Sequence, residues 1–395
     1  MTYHLTIIEC CNFIDYPTGG QLSFARHLIS SFGQQVKLIG LTTENEELGK
    51  WTKKKINGIE YDFFPYICLP KDSKKPLVPV RLKNYLALRK FKRQIQQSGL
   101  NNVILQSPDT VLAIMDFGFK NTCYRFAGTE NPLAISRYNF ARPLAALYDK
   151  YFLPKLSKVN MILAAADNPS IEQLVKRSKG SLSKHNVKQF ITRVDTTIYK
   201  LYPKSVSRKT LQITNDELMV VTTGRLGWFK GWKFMIDSFK KFLLNHSNAH
   251  FYLIGNGEDH FKIKAYISEL NLNSCVHLEG FKNADMIVQY LNAADLFIMG
   301  SYKEGWSTSL IEAVTCGVPA CVTDFSSAKD IIEDSINGYV AENHDETLFV
   351  ELMEKCLNIN RNLLPRNIDS ERYAAKNLKG DLLKIWPVEY ETATS

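Results

Sequence analysis

No apolar run in these 395 residues approaches the ~18 needed to cross a bilayer. The start, Thr2 to Glu9, lacks the basic head and apolar stretch of an export signal, so the chain is expected to stay in the cytoplasm. Paired cysteine spacing is also missing. The eight cysteines are scattered, apart from the adjacent Cys10 and Cys11, which argues against a disulfide scaffold and for reduced, small, buried side chains. No C-x2-C joins the histidines, so no zinc ligand set is legible and no metal is expected. Internal repeats and low-complexity segments are absent as well. Acidic residues are scarce in one half: residues 1–200 hold 29 of the 49 Lys and Arg but 15 of the 40 Asp and Glu. Nucleic acid is not indicated, because no DNA- or RNA-binding signature accompanies that charge. Anionic lipid headgroups or a pyrophosphate-bearing acceptor would serve it as well, beside the plainer reading of a solvated basic surface.

What is present is ordinary globular composition, 45% hydrophobic and 23% charged. The length exceeds a single core and suggests two domains. Short apolar runs at Leu5–Ile8, Val36–Leu41, Ile59–Phe64, Val103–Leu105 and Met161–Ala165 alternate with helical patterns, which argues for a parallel sheet. Val80 to Ile95 reads as a basic amphipathic helix and Lys200 to Asn215 as a hinge, with the domain boundary near Pro203. The second half opens its own series: Leu218–Val221, a loop, a helix from Trp232, then Phe251–Ile254, Val276–Gly280 and Leu296–Met299. It therefore reads as a second doubly wound domain.

One stretch organises the chain: Lys303 to Gly317, K-E-G-W-S-T-S-L-I-E-A-V-T-C-G, between the Leu296–Met299 strand and a helix. Ser307, Thr308 and Ser309 are candidate caps, so backbone N–H groups at this helix start can hold an anion. Glu304 lies just past the strand. Glu312 sits in the early helix, where the Cβ direction leans its carboxylate back toward the N-terminus.

This E-G-x5-L-x-E-A core, with Gly317-Val318-Pro319 behind it, closely resembles the group 1 retaining glycosyltransferases. The resemblance implies the GT-B architecture, two Rossmann-like domains facing a central cleft, with residues 1–203 as the acceptor-side domain, 204–370 as the donor-binding domain, and the tail 371–395 crossing back to the first. It implies transfer of a hexose-type unit from a UDP- or GDP-linked sugar to a saccharide or lipid-linked saccharide of the cell envelope, at the inner face of a membrane. No separate cofactor is implied, since the nucleotide sugar is the substrate. By the same resemblance, Glu304 lies beside the donor sugar and Glu312 accepts from the ribose. The loop G-R-L-G-W-F-K-G supplies Gly224 with Arg225 and Lys230, which the family turns on the diphosphate. Gly255 and Gly257 fall at a strand end that contacts base and ribose, and Gly19 and Gly20 match a Gly-Gly loop near the donor phosphates. No D-x-D stands where other glycosyltransferases carry a metal. Two departures bear on function: Ala127 stands where a histidine is usual, leaving Glu130 and Asn131 as the nearest polar substitutes, and Arg193 replaces a glycine. They raise two alternatives, a protein that binds nucleotide sugar without turnover and a sugar-nucleotide epimerase of the same fold.

Overall fold

In a computed structural model, which describes residues 4–17, 19–71, 79–134, 139–183, 186–361 and 370–388, the chain forms two units, 1–191 with 376–395 and 192–375. The first contains β1 (Leu5–Ile8), α1 (Gly20–Phe32), β2 (Val36–Thr42), β3 (Thr52–Ile56), β4 (Ile59–Cys68), α2 (Val80–Lys90), α3 (Lys92–Gln97), β5 (Asn102–Leu105), α4 (Pro108–Ile114), β6 (Asn121–Phe126), α5 (Ala145–Leu156), β7 (Met161–Ala164), α6 (Asn168–Arg177) and β8 (Val187–Gln189). Its sheet runs β3-β4-β2-β1-β5-β6-β7-β8. All neighbours are parallel except the β3–β4 pair. Successive residues of one strand serve opposite faces: Phe64 joins Ile8, Ile39 and Leu105 in one core, Phe63 joins Leu5, Ile7 and Leu38 in the other. Both faces are thus buried, which is why these strands read as continuous apolar runs.

The second unit contains α7 (Lys204–Leu211), β9 (Leu218–Thr223), α8 (Trp232–Phe242), β10 (Ala249–Ile254), α9 (His260–Glu269), β11 (Val276–Gly280), α10 (Ala284–Ala293), β12 (Leu296–Met299), α11 (Thr308–Thr315), β13 (Ala320–Thr323), α12 (Ala328–Ile331), β14 (Gly338–Ala341) and α13 (Glu346–Leu357). Its parallel sheet runs β11-β10-β9-β12-β13-β14. In each sheet the chain builds outward on one side of its first strand and then crosses to the other side. Switch points therefore fall between β1 and β5 and between β9 and β12, where doubly wound sheets hold ligands beyond the strand carboxyl ends.

A last helix, α14 (Leu378–Ile385), belongs to the first unit. Leu378, Leu382 and Trp386 enter the core around α1. The Trp386 indole donates to Asn121 Oδ1 at 2.5 Å, and Lys379 Nζ to Gln35 Oε1 at 2.8 Å.

Several expectations need correction. Between the second and third apolar runs, Lys53 to Lys55 form strand β3, turned back on β4 through Asn57 and Gly58, whose φ values of 49° and 84° suit a tight hairpin. The amphipathic helix breaks at Phe91 into α2 and α3. The expected hinge is helix α7, tied down by buried Arg208, which donates to Asp295 Oδ2 at 2.7 Å and to the carbonyls of Ala293, Thr214 and Asn215. The unit boundary falls after Ile191 rather than at Pro203, because the segment between is held by the second unit: Val194 bridges Ala374, and the Tyr202 N–H donates to Asn292 Oδ1 at 2.7 Å. Cys10, Cys68 and Cys275 are half-buried rather than buried, and all eight thiols are free. Lys74 and Lys75, part of the expected basic surface, lie outside the described residues.

Candidate active site in the second unit

Two loops flank the β9–β12 switch point, and they carry most of the residues singled out in the sequence. The first, Gly224 to Gly231, is pressed against its neighbours by glycines that cannot be replaced without collision. A Cβ on Gly255 would lie 1.8 Å from the Gly224 carbonyl oxygen, and one on Gly257 2.2 Å from that of Leu226. Gly255 and Gly257 thus dock the loop after β10 against the loop after β9, a packing reason for glycine. Gly231, at φ 66°, sits where a Cβ would be 1.7 Å from the Gly300 carbonyl oxygen, joining that loop to the one after β12.

This docking brings Lys230 to Glu304. Their side chains, 17% and 14% exposed, form an ion pair, and Glu304 Oε1 also accepts from the Ser301 hydroxyl at 3.0 Å. A Cβ on Gly224 would lie 3.2 Å from Ser309 Oγ and 3.8 Å from Lys230 Nζ, so the glycine keeps both side chains close to the backbone here. Arg225 is exposed, with no ion-pair partner among the described residues. A cation paired with a carboxylate and the Ser309 hydroxyl at a helix start therefore gather beside Gly224, the residue before Arg225.

At the start of α11 the three candidate caps separate. Ser307 is buried and is the N-cap, its hydroxyl accepting from the Leu310 N–H at 3.4 Å, while its own N–H donates to Ser327 Oγ at 3.3 Å. Of the three candidates, Ser307 is thus the cap. Thr308 and Ser309 remain half-buried. Glu312 follows one turn on. Burial pushes its carboxyl up to about 7, offset by a hydrogen bond from the Tyr199 hydroxyl and by the Lys230 charge. The same burial raises the Tyr199 phenol. Tyr199 was missed by sequence reasoning, since no spacing links it to Glu312.

Other positions lie elsewhere. Gly19 and Gly20 belong to the first unit, Gly20 opening α1 and Gly19 preceding it at φ 146°. Asn131, one proposed substitute for the missing histidine, is buried in a turn: its amide donates to the Ala145 carbonyl at 2.8 Å and its oxygen accepts from the Leu133 N–H at 2.8 Å. It is not free to meet a sugar. Ala127 itself is exposed and Arg193 is buried. Among the described residues, no three His, Cys, Asp or Glu side chains gather as a metal site.

Residues 203–375 match the family described as Glycosyl transferases group 1. Among curated proteins, the chain is 26% identical over 159 residues to an amylovoran biosynthesis glycosyltransferase of Erwinia amylovora, covering 39% of each chain. It is 23% identical over 237 residues to a capsular polysaccharide biosynthesis glycosyltransferase of Staphylococcus aureus, covering 58% of this chain and 62% of the relative. The matched stretch thus spans between about two fifths and three fifths of those relatives' own length. Among solved structures, sucrose-phosphate synthase from Thermosynechococcus elongatus superposes with a TM-score of 0.77 at 14% identity, covering 97% of this chain and 98% of the other. The Anabaena protein HepE, solved with UDP and glucose, gives 0.72 at 14%, with the same coverage. The fold is that of the GT-B glycosyltransferases, with two Rossmann-like domains. The family match lies within the second half of the chain, over residues 203–375.

Proposed function

We propose that the chain is a retaining, metal-independent glycosyltransferase that moves a hexose-type unit from a UDP- or GDP-linked sugar to a saccharide or lipid-linked saccharide of the cell envelope. The observation that carries this is the Lys230–Glu304 pair beside Gly224 and Ser309 at the switch point of the second sheet. A diphosphate seated over Gly224 competes for Lys230, joins Arg225, and meets the start of α11. Negative charge grows on the departing diphosphate as its bond to the sugar breaks, so these prepositioned donors assist the transition state more than the ground state. Release from Lys230 leaves the Glu304 carboxylate to accept hydroxyls of the sugar, while Glu312 accepts from the ribose. The diphosphate can take the acceptor's proton, so no protein nucleophile is required.

UDP and glucose in the HepE complex support the donor class, and the relatives' names support a polysaccharide product. A peripheral membrane position at the cytoplasmic face has its own support in the first unit, where Leu82 and Leu86 stand exposed on α2 beside exposed Arg81 and Lys90. The testing experiment is a thermal-shift panel of UDP-, GDP- and ADP-sugars, followed by assay of nucleotide diphosphate release. Stabilisation by a UDP- or GDP-sugar is expected, and no stabilisation by any of them would sink the proposal. The exposed Ala127 in place of a histidine favours one other reading, binding without turnover. That reading predicts donor binding but no diphosphate release with any acceptor.

A further inference from the structure

A cleft of about 470 Å³ opens in the first unit, lined by none of the residues given a donor role. It lies where α3 leaves the starts of two neighbouring strands uncovered: Lys37 is the second residue of β2, and Asp62 and Phe64 fall in the first six of β4. The cleft is therefore at the opposite end of the sheet from the strand carboxyl termini. Its volume falls within the ~300–1,000 Å³ of small-ligand sites.

One aromatic ring is held ready there. Trp51, 36% exposed, stands just before β3; its indole N–H donates to Ser98 Oγ at 2.8 Å, and its ring lies 5.5 Å from that of buried Phe64 at an angle of 60°. The Ser98 hydroxyl in turn donates to the Gln94 carbonyl at 2.8 Å. Two residues before the tryptophan, Gly49 at φ 83° donates its N–H to the Pro65 carbonyl at 2.8 Å, and a Cβ there would lie 2.3 Å from the Phe91 ring. Glycine thus lets this segment lie close on the sheet, and Trp51 is oriented before any ligand arrives. Polar groups complete the lining. Strand register sets Asp62 between Lys37 of β2 and Lys53 of β3. Asp62 Oδ1 accepts from Lys53 Nζ at 2.6 Å, whereas Lys37 has no ion-pair partner among the described residues. The amides of Gln94 and Gln97, exposed on α3, make no hydrogen bond to any described residue.

We propose that this cleft binds a neutral saccharide of one or two units, a ring face stacked on Trp51 and its hydroxyls shared among Asp62, Lys37 and the two amides, as a holding site separate from catalysis. The ligand class follows from the groups present. An anion meets Asp62, a cation meets Lys37 and Lys53, and a wholly apolar ligand strips water from polar side chains without replacing it. Sugar hydroxyls both donate and accept, as the amides do, and the carbon-bound hydrogens of a sugar ring offer an apolar, slightly positive face to the negative face of the indole. That the saccharide is part of the glycan the chain elongates rests on the transferase reading; the ligand class does not.

The test is saturation-transfer NMR on the full chain, in the presence of UDP, with cellobiose, lactose, maltose and diacetylchitobiose beside glucosamine, glucose 6-phosphate and uridine. At least one neutral disaccharide should bind, and Trp51→Ala should weaken it roughly tenfold with UDP affinity unchanged. Gln94→Ala combined with Gln97→Ala, at two exposed helix positions where alanine favours the fold, should weaken it several-fold and keeps the test decisive if Trp51→Ala does not fold. Absence of any neutral-disaccharide signal, wild-type affinity in both variants, or preference for uridine or a charged sugar would overturn the assignment. Trp51-dependent disaccharide binding in a chain that binds no nucleotide sugar would keep the cleft's assignment and remove the transferase reading. Nucleotide-sugar turnover without Trp51-dependent binding would do the reverse.

Discussion

Replacing Glu304 by glutamine separates the two tasks given to that residue. In the free protein Glu304 holds Lys230, and both side chains lie between surface and interior, at 14% and 17% exposure. Exposed ion pairs contribute about 0–1 kcal/mol, and breaking buried ones costs about 3–5 kcal/mol. A pair of intermediate burial is therefore placed at about 1–2 kcal/mol. Binding a diphosphate to Lys230 must overcome that amount, and Glu304→Gln removes most of it while keeping the shape and the bond from Ser301. UDP or GDP, which lack the sugar, should then bind roughly 5- to 30-fold more tightly, since about 1.4 kcal/mol is tenfold. Turnover of the nucleotide sugar should fall, because the amide is a weaker acceptor for the sugar hydroxyls. Isothermal titration with the nucleotide diphosphate, beside a steady-state assay, reads both. Weaker diphosphate binding by Glu304→Gln would refute the competition and leave Lys230 with a purely structural role.

Lys230→Ala and Arg225→Ala should each slow turnover roughly a hundredfold, about 3 kcal/mol, with a smaller loss in donor binding; wild-type rates in both would refute the diphosphate assignment. Glu312 rises from 4.5 to about 7 on folding, so the folded state holds a proton that the unfolded state releases, and stability falls as pH climbs between those values. Glu312→Gln should therefore be more stable than wild type above pH 7, by at most about 3 kcal/mol, with the gain vanishing near pH 4.5; denaturant melts at the two pH values check the sign. Gly255→Ala should destabilise the second unit by about 1–3 kcal/mol, because its Cβ meets the Gly224 carbonyl. An unchanged melt would show that the two loops separate freely. Trp386→Ala should cost the first unit about 3–5 kcal/mol through its buried indole, read as a lowered midpoint in thermal or denaturant melts.

The second unit was largely legible because the switch point of a doubly wound sheet is flanked by loops that are short in sequence. Gly224, Arg225 and Lys230 fall in one loop, and Glu304 and Glu312 sit on either side of one helix start, so spacing reports geometry. The strands β9 to β14 followed from the same regularity. What was misread depended on contacts that spacing does not carry. Arg208 turns a polar, proline-led stretch into helix α7 only because Asp295 and three carbonyls receive its guanidinium. Which of Ser307, Thr308 and Ser309 is the cap is decided only by the Leu310 N–H that Ser307 accepts. Lys53 to Lys55 escaped as an edge strand because no apolar run marks them, and exposed charge is common at a sheet edge.

The polar cluster beside the first unit's switch point escaped for a related reason. Its polar groups come from residues 9, 21, 66, 84, 106, 107 and 109, drawn from the ends of three strands and the starts of three helices. No pair of them is close in sequence except across Gln106, Ser107 and Asp109, and none belongs to a motif, so only the folded sheet brings them together. The two switch points consequently differ in kind. That of the second unit offers cations and N–H groups, suited to an anionic leaving group. That of the first holds the buried Glu9 carboxyl and the Gln106 amide oxygen instead. The difference follows from which side chains end the strands beside each crossover.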